Sequence, residues 1–139
     1  GLRPRLRQCD GMPAGDGPAS LILANPPYLG GSGRTYSDGG GPLGAQLSLA
    51  WTRQALARLA PGGRLLLYTG AAILRGRDPL QAALRQIAGE AGCPLRYEEL
   101  DPDVFPSTLL HRGYWGVERI AAVGAVMDKP ADARNLAQA

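Results

Sequence analysis

The stretch LILANPPYLGG, residues 21–31, joins an apolar segment directly to a rigid polar corner. Residues 19–24 form a continuous apolar run, the pattern of a strand that is covered on both faces. Pro26 and Pro27 remove two backbone donors and fix two φ angles, and the first of them pushes Asn25 toward extended backbone. The sequence therefore predicts a strand that ends at Asn25 and presents a rigid, aromatic-tipped corner.

Strand and helix patterns alternate along most of the chain. Apolar residues spaced by four predict a helix over about 43–59, which Pro61-Gly62-Gly63 ends. Asp78-Pro79 predicts a second helix that ends at Gly89 or Gly92. The predicted strands are 2–8, 19–24, 64–69, 95–100 and 118–127. This order predicts an α/β fold with a parallel sheet, and the last two strands, joined without a helix, allow at least one antiparallel strand.

Composition sets broad limits on the function. The length of 139 residues predicts one domain, and two distant cysteines, Cys9 and Cys93, match no metal spacing and are expected to be buried free thiols. The net charge is +3, with fourteen Arg and one Lys, but the Arg residues form no single run. A compositional bias is therefore favoured over a nucleic-acid footprint. Because there is no apolar run of about 18 residues, we expect a cytoplasmic protein without a membrane partner.

The corner offers chemistry that suits a planar amine. In open α/β sheets, ligands bind at the carboxyl ends of strands, which is where Asn25 is predicted to lie. The Asn25 side-chain carbonyl and the backbone carbonyl of Pro26 could accept hydrogen bonds from the two hydrogens of an –NH2 group. Tyr28 offers a flat face on which a base or an amide could stack. The alternative is a strand-to-loop corner without a function, since Asn and Pro are common turn residues.

The segment LILANPPY resembles the (D/N/S)-P-P-(Y/F/W) motif of S-adenosylmethionine (SAM)-dependent methyltransferases that act on planar amines. Three other segments resemble parts of the same class I fold: CDGMP (9–13), LAPGGRLLLYTG (59–70) and GVERIAAVGAV (116–126). The resemblance implies a Rossmann-like fold with a mostly parallel sheet and helices on both faces. It covers about residues 3–127 and implies a partial catalytic domain over 1–127, followed by a polar tail over 128–139.

The resemblance also implies roles for individual residues. Asn25, Pro26, Pro27 and Tyr28 would hold and orient the acceptor amine. Asp10, Gly11 and Asn25 would contact SAM, and no metal is called for. The family's glycine-rich SAM turn and its first two strands have no counterpart, so we expect the carboxyl-terminal portion of such a domain. Gly39, Gly41 and Gly44 satisfy G-x-G-x-x-G but follow no strand, which favours a flexible loop beside the substrate.

Several alternatives stay open at this point. The acceptor is either a nucleic-acid base or a protein glutamine, and small-molecule amines fit the same grip. The chain could instead be a non-catalytic binding module, or an inactive fragment whose SAM site a partner chain completes. An exposed sheet edge predicts self-association. His111 is interpreted as structural rather than catalytic, whereas Tyr114 and Trp115 could equally pack within the fold or line a substrate surface. The arginines that a nucleic acid could contact are Arg3, Arg5, Arg7, Arg34, Arg75 and Arg77.

Overall fold

The computed structural model describes residue 1 and residues 3–13, 17–30 and 36–132 of the chain. The strands are β1 (Ala19–Ala24), β2 (Leu59–Ile73), β3 (Leu95–Asp101) and β4 (Arg119–Asp128). The helices are α1 (Gln46–Arg58) and α2 (Pro79–Glu90). Three short 3-10 turns cover Pro42–Gly44, Pro106–Leu110 and Arg112–Tyr114.

The four strands form one sheet in the order β1-β2-β4-β3. β1 and β2 are parallel, with Ala24 opposite Leu67, whereas β4 is antiparallel to both β2 and β3. Three strands thus share one direction and β4 is reversed. This confirms that one of the last two strands runs against the rest, within a mixed α/β fold.

Both helices pack on the same face of the sheet. Buried residues of α1 and α2, such as Leu56 and Leu84, share one core with the buried side chains of β2 and β4. The expectation of helices on both faces is therefore wrong for the described residues. The connections from β1 to β2 and from β2 to β3 step through the sheet in one direction, and right-handed crossovers then place their helices on one side. The opposite face, with Leu23 69% exposed, is open.

The strand predicted over 2–8 is also wrong for the part that the structure describes. Residues 3–9 have no regular secondary structure and are exposed, with Leu6 94% exposed. Their alternating pattern satisfies one requirement of a strand, but no neighbouring described strand bonds to them. Among the described residues, β1 bonds only to β2, so Asp10 does not end a strand of this sheet.

The helix boundaries differ from the predictions where turn chemistry dominates. α1 begins at Gln46 rather than near residue 43 because Leu43 has a left-handed φ of 62°, which no α-helix can include. The predicted start of α2 is confirmed, since the Asp78 carboxylate accepts a hydrogen bond of 2.9 Å from the Gln81 backbone N–H. The second Asp78 oxygen accepts a 2.6 Å bond from the Tyr97 hydroxyl and ties α2 to β3.

The last strand ends one residue beyond its predicted end at residue 127. β4 continues to Asp128, whose carboxylate pairs with Arg64 on β2 and with Arg96 on β3. The Lys129 ammonium donates a 2.8 Å hydrogen bond to the Leu59 carbonyl. These contacts attach the first residues of the predicted tail to the sheet, while residues 133–139 lie outside the described part of the chain.

Candidate active site

The Asn-Pro-Pro-Tyr segment lies at the carboxyl end of β1, as the sequence predicts. Ala24 and Pro26 are buried, whereas Asn25 between them is exposed. Within the described part of the chain, the Asn25 side-chain amide forms no hydrogen bond. A cavity of about 370 Å³ opens beside it, and its lining includes Pro27, Tyr28 and Phe105. The corner therefore presents an unpaired amide to a cavity with aromatic walls.

Tyr28 lies at the centre of an aromatic cluster. Its ring centroid is 6.5 Å from that of Tyr68, with the planes at 71°, and 6.2 Å from that of Phe105, with the planes at 54°. Burial, followed by the effect of Tyr68, raises the pKa of the Tyr28 phenol above its ordinary value. The phenol is therefore neutral at physiological pH, and it presents an uncharged aromatic surface beside Asn25.

Phe105 is a site residue that the sequence analysis did not identify. Its backbone has a φ of 56°, in the left-handed region that bulky residues rarely adopt, and its side chain is half exposed. Strain of this kind persists only where the surrounding structure enforces it. The sequence offered no pattern that would place residue 105 opposite residue 28, because a short irregular segment carries it there.

The described part of the glycine-rich segment, residues 36–44, is hydrogen-bonded to the corner. The Leu29 N–H donates to the Ser37 carbonyl at 3.0 Å, and the Gly39 N–H donates to the Leu29 carbonyl at 2.8 Å. The Leu47 N–H of α1 then donates to the Gly39 carbonyl at 2.8 Å. The segment therefore connects the corner to the start of α1. Residues 31–35 of that loop lie outside the described residues.

Two glycines of this segment are required for close backbone contact. A Cβ atom on Gly39 would lie 1.9 Å from the Gly44 carbonyl oxygen, and one on Gly44 would lie 2.3 Å from the Tyr28 carbonyl oxygen. Gly44 also has a φ of 74°. The glycine cluster was visible in the sequence, but its contact with Tyr28 was not. The space beside these two glycines is filled by the chain's own backbone.

Asp10 and Gly11 do not line the cavity beside Asn25. Instead, the Met12 N–H donates a 2.8 Å hydrogen bond to Gln54 Oε1, and Gly11 packs against the same side chain. Gln54 lies eight residues into α1, which is about 12 Å from the helix start beside the corner. The structure thus brings residues 25–28 together and places Asp10 and Gly11 elsewhere along α1.

Asn25 contributes to a second cavity, of about 340 Å³, on the open face, together with Leu23, Tyr68 and Leu100. That cavity is mostly apolar and holds no charged side chain. Backbone atoms of the chain fill the space beside Gly39 and Gly44, so these glycines leave no room for SAM. Asp10 does not line either cavity at Asn25. The described residues therefore form at most part of a SAM site.

The other candidate residues have mainly structural surroundings. Tyr114 is buried, and its hydroxyl oxygen accepts a hydrogen bond from the Gly30 N–H. His111 lines an adjoining cavity of about 600 Å³ and is exposed. Cys93 is buried but Cys9 is exposed. No group of three or more His, Cys, Asp or Glu residues within the described ranges could hold a metal ion. In those ranges, no helix is long and apolar enough to cross a membrane.

A scan against protein-family models and a search of curated proteins found no match. Among solved structures, the chain is similar to a methyltransferase from Pyrococcus furiosus, with 17% identity and a TM-score of 0.49 over 83% of this chain and 43% of that one. It is also similar to a candidate DNA modification methylase from Thermus thermophilus, solved with S-adenosyl-L-methionine, with 22% identity and a TM-score of 0.39. That match covers 84% of this chain and 51% of the other. The chain thus spans about half the length of these proteins or less.

Proposed function

We propose that this chain is the acceptor-binding part of a SAM-dependent methyltransferase that modifies a planar amino or amide nitrogen. The observation that carries the proposal is the unpaired Asn25 amide beside the aromatic cavity at the end of β1. The locked φ angles of Pro26 and Pro27 make the backbone of the corner rigid, so the Cα of Asn25 and the Pro26 carbonyl are held in place. The acceptor is a nucleic-acid base or a protein glutamine side chain.

The corner residues orient the nitrogen and stabilise the charge that it gains. The Asn25 side-chain carbonyl and the Pro26 backbone carbonyl accept the two N–H groups and direct the nitrogen lone pair away from the corner. Both acceptors interact more strongly with the nitrogen as it becomes positive. Tyr28 packs against the flat face of the substrate. When bound, SAM would supply the methyl group to the nitrogen lone pair and its sulfur would keep the electron pair of the broken C–S bond, while the nitrogen would lose one N–H proton to solvent.

The rest of the SAM site is proposed to come from residues beyond those described, either in a longer form of the same polypeptide or in a partner chain. Asp10 and Gly11 stay candidates for cofactor contact under this proposal, which would require residues 3–13 to adopt another arrangement. The alternative function is a non-catalytic module that uses the same corner to bind an amine or amide without transferring a methyl group.

The test is transfer of a radiolabelled methyl group from SAM, measured with the native polypeptide and any chain that copurifies with it. Nucleic acid and protein from the source are offered separately as acceptors. Asn25→Leu removes the acceptor oxygen at similar size, and the expected loss of rate is about 10²–10³-fold, as for other positioned hydrogen-bonding groups. Asn25→Asp keeps a carbonyl-type oxygen at the same place and is expected to retain most of the activity.

SAM affinity, measured by equilibrium dialysis, is expected to stay within a few-fold in both variants. Equal activity of Asn25→Leu and the unchanged protein would contradict the role of Asn25. Binding of an acceptor without any methyl transfer, under conditions in which SAM is bound, would support the binding-module alternative.

A further inference from the structure

We infer that another cavity, separate from both cavities at Asn25, binds the backbone and a neighbouring base of a single-stranded nucleic acid. This cavity of about 520 Å³ is lined by Leu74, Arg75, Arg77, Trp115 and Gly116. The inference rests on the proposed function in one respect: that function identifies the reacting nitrogen as part of the bound nucleic acid. The binding that it predicts, however, needs no methyl donor and can be measured alone.

The two arginines have the properties of phosphate-binding groups. Arg75 and Arg77 are both exposed, and neither forms an ion pair with another residue of the described chain. Other arginines differ in this respect: Arg64 pairs with Asp128 and Arg119 pairs with Glu99. The Glu118 carboxylate accepts a 3.1 Å hydrogen bond from the Gly76 N–H, and Asp78 follows Arg77 in the chain and caps α2. The residues that line the cavity itself carry two guanidinium groups and no carboxylate, so the lining is positively charged.

Arg75 occupies a strained position at the tip of a tight turn. Leu74 and Arg77 exchange two backbone hydrogen bonds of 2.9 Å, so that residues 75 and 76 form a two-residue loop. Both loop residues have left-handed φ angles, 49° for Arg75 and 71° for Gly76. Such a loop favours Asn or Gly at its first position, and any larger residue there costs stability. A residue kept in a strained conformation beside a cavity indicates a functional role.

Trp115 supplies a surface for stacking. Its side chain is 80% exposed although the chain on either side is anchored, by Tyr114 at 3% exposure and by the Glu118 N–H, which donates to the Ile73 carbonyl at 2.8 Å. A large aromatic side chain exposed on an anchored segment of backbone is well suited to stack on an unpaired base. Such stacking requires a base that is not already covered by its neighbours, which favours single-stranded nucleic acid over a duplex.

The spacing between the two cavities suits a chain of nucleotides. Tyr28 lies against Gly70, since a Cβ on Gly70 would be 2.2 Å from Tyr28 Cδ2. Leu74 follows the last residue of β2 and lies four residues beyond Gly70, which corresponds to about 13 Å at ~3.3 Å per residue. That distance equals about four stacked nucleotide steps of ~3.4 Å. A strand with its target base at Asn25 could therefore place its backbone at Arg75 and Arg77, whereas a single glutamine side chain could not reach both sites.

The experiment measures binding of a fluorescein-labelled single strand of about 12 nucleotides, a length within the known site sizes of ~4–16 nucleotides. Fluorescence anisotropy is recorded between about 50 and 200 mM salt without SAM. The double variant Arg75→Gln/Arg77→Gln is expected to reduce the slope of log K against log salt by about 1.4, which is ~0.7 for each lost phosphate contact. Trp115→Ala is expected to weaken binding roughly 5- to 150-fold, and Trp115→Phe to retain most of the affinity.

The matched control is Arg53→Gln/Arg85→Gln, which removes the same charge from exposed positions on α1 and α2. Its salt slope is expected to equal that of the unchanged protein. Arg75→Gly separates the effect on binding from the effect on folding. It relieves the backbone strain of a left-handed φ at residue 75, so it is expected to raise the urea midpoint of unfolding while it weakens binding. Equal slopes for the two double variants, or no binding at about 50 mM salt, would overturn the inference. Methyl transfer to protein alone would overturn it as well, whereas absence of any methyl transfer would count against the proposed function only.

Discussion

The ring of Tyr28 and the backbone of Gly70 are in direct contact, so that a single methyl group at residue 70 would lie 2.2 Å from Tyr28 Cδ2 and 2.6 Å from Cε2. Gly70 belongs to β2, and Tyr28 follows the end of β1. The position of the aromatic ring in the corner therefore depends on the absence of a side chain on the neighbouring strand.

Gly70→Ala is expected to displace the Tyr28 ring and to reduce methyl transfer, mainly by raising KM for the acceptor. Overpacking of this kind costs about 1–3 kcal/mol of stability. The matched control is Gly124→Ala on β4, where the added carbon would lie 3.3 Å from the mobile end of the Leu100 side chain. Steady-state kinetics together with urea unfolding separate the two effects, and equal KM values for both variants would contradict the role of Gly70.

A second prediction concerns a buried hydroxyl pair that holds the start of α1 to β2. Ser48 Oγ and Thr69 Oγ1 are 2.7 Å apart, and both residues are fully buried. Ser48→Ala or Thr69→Val alone leaves one hydroxyl without this partner and is expected to lower the free energy of unfolding by about 1–3 kcal/mol. The double variant is expected to lose less than the sum of the two single losses, as measured by urea unfolding. Additive losses would show that the two hydroxyls are not coupled.

The acid stability of the sheet is expected to depend on Asp128. Hydrogen bonding from Arg64, followed by the charges of Arg64 and Arg96, lowers the pKa of the Asp128 carboxyl below its ordinary value. A carboxyl with a lowered folded-state pKa stabilises the fold above its unfolded pKa of ~3.9, and the contribution is lost as pH falls through the folded value.

Asp128→Asn should therefore reduce the free energy of unfolding at neutral pH by a small amount, because the pair is exposed, and the difference should disappear as the pH falls through the lowered folded-state pKa of Asp128. Urea unfolding across the acid range measures it. Asp132→Asn serves as the control, since Asp132 forms no ion pair with another residue in the described ranges. A pH-independent difference for Asp128→Asn would contradict the prediction.

The open face of the sheet predicts association. Leu23, Tyr68 and Leu100 remain 41–69% exposed on that face, where apolar side chains gain free energy by being covered. We expect light scattering to give a mass above the 14.6 kDa of one chain. Leu23→Lys/Leu100→Glu should shift the mass toward one chain, whereas Leu110→Lys, at an exposed leucine outside the strands, should not. A single-chain mass for the unchanged protein would contradict this expectation.

Local sequence signals predicted the elements that depend on local chemistry. The corner at residues 25–28 and the Asp78 cap are set by proline and carboxylate geometry within a few residues, and both were predictable. The strand predicted over 2–8 is absent from its described part, because an alternating pattern of apolar and charged residues does not provide a neighbouring strand to which the backbone can hydrogen-bond. Both helices pack on one face of the sheet because of the order of the strands, and no local sequence pattern encodes that order. Phe105 and Gly39 reach the site through irregular segments, so their contacts with the corner had no periodic signal.

The position of β1 at the edge of the described sheet affects the local stability of the corner at residues 25–28. Among the described residues β1 bonds only to β2, whereas β4 bonds to strands on both sides. Amide protons at the edge therefore exchange with solvent through smaller local openings than those at the centre. Asn25 is thus carried by the part of the described sheet with the weakest backbone protection. Under the proposed function, warming would release Asn25 from its alignment while the centre of the sheet was still folded, and methyl transfer would be lost before global unfolding.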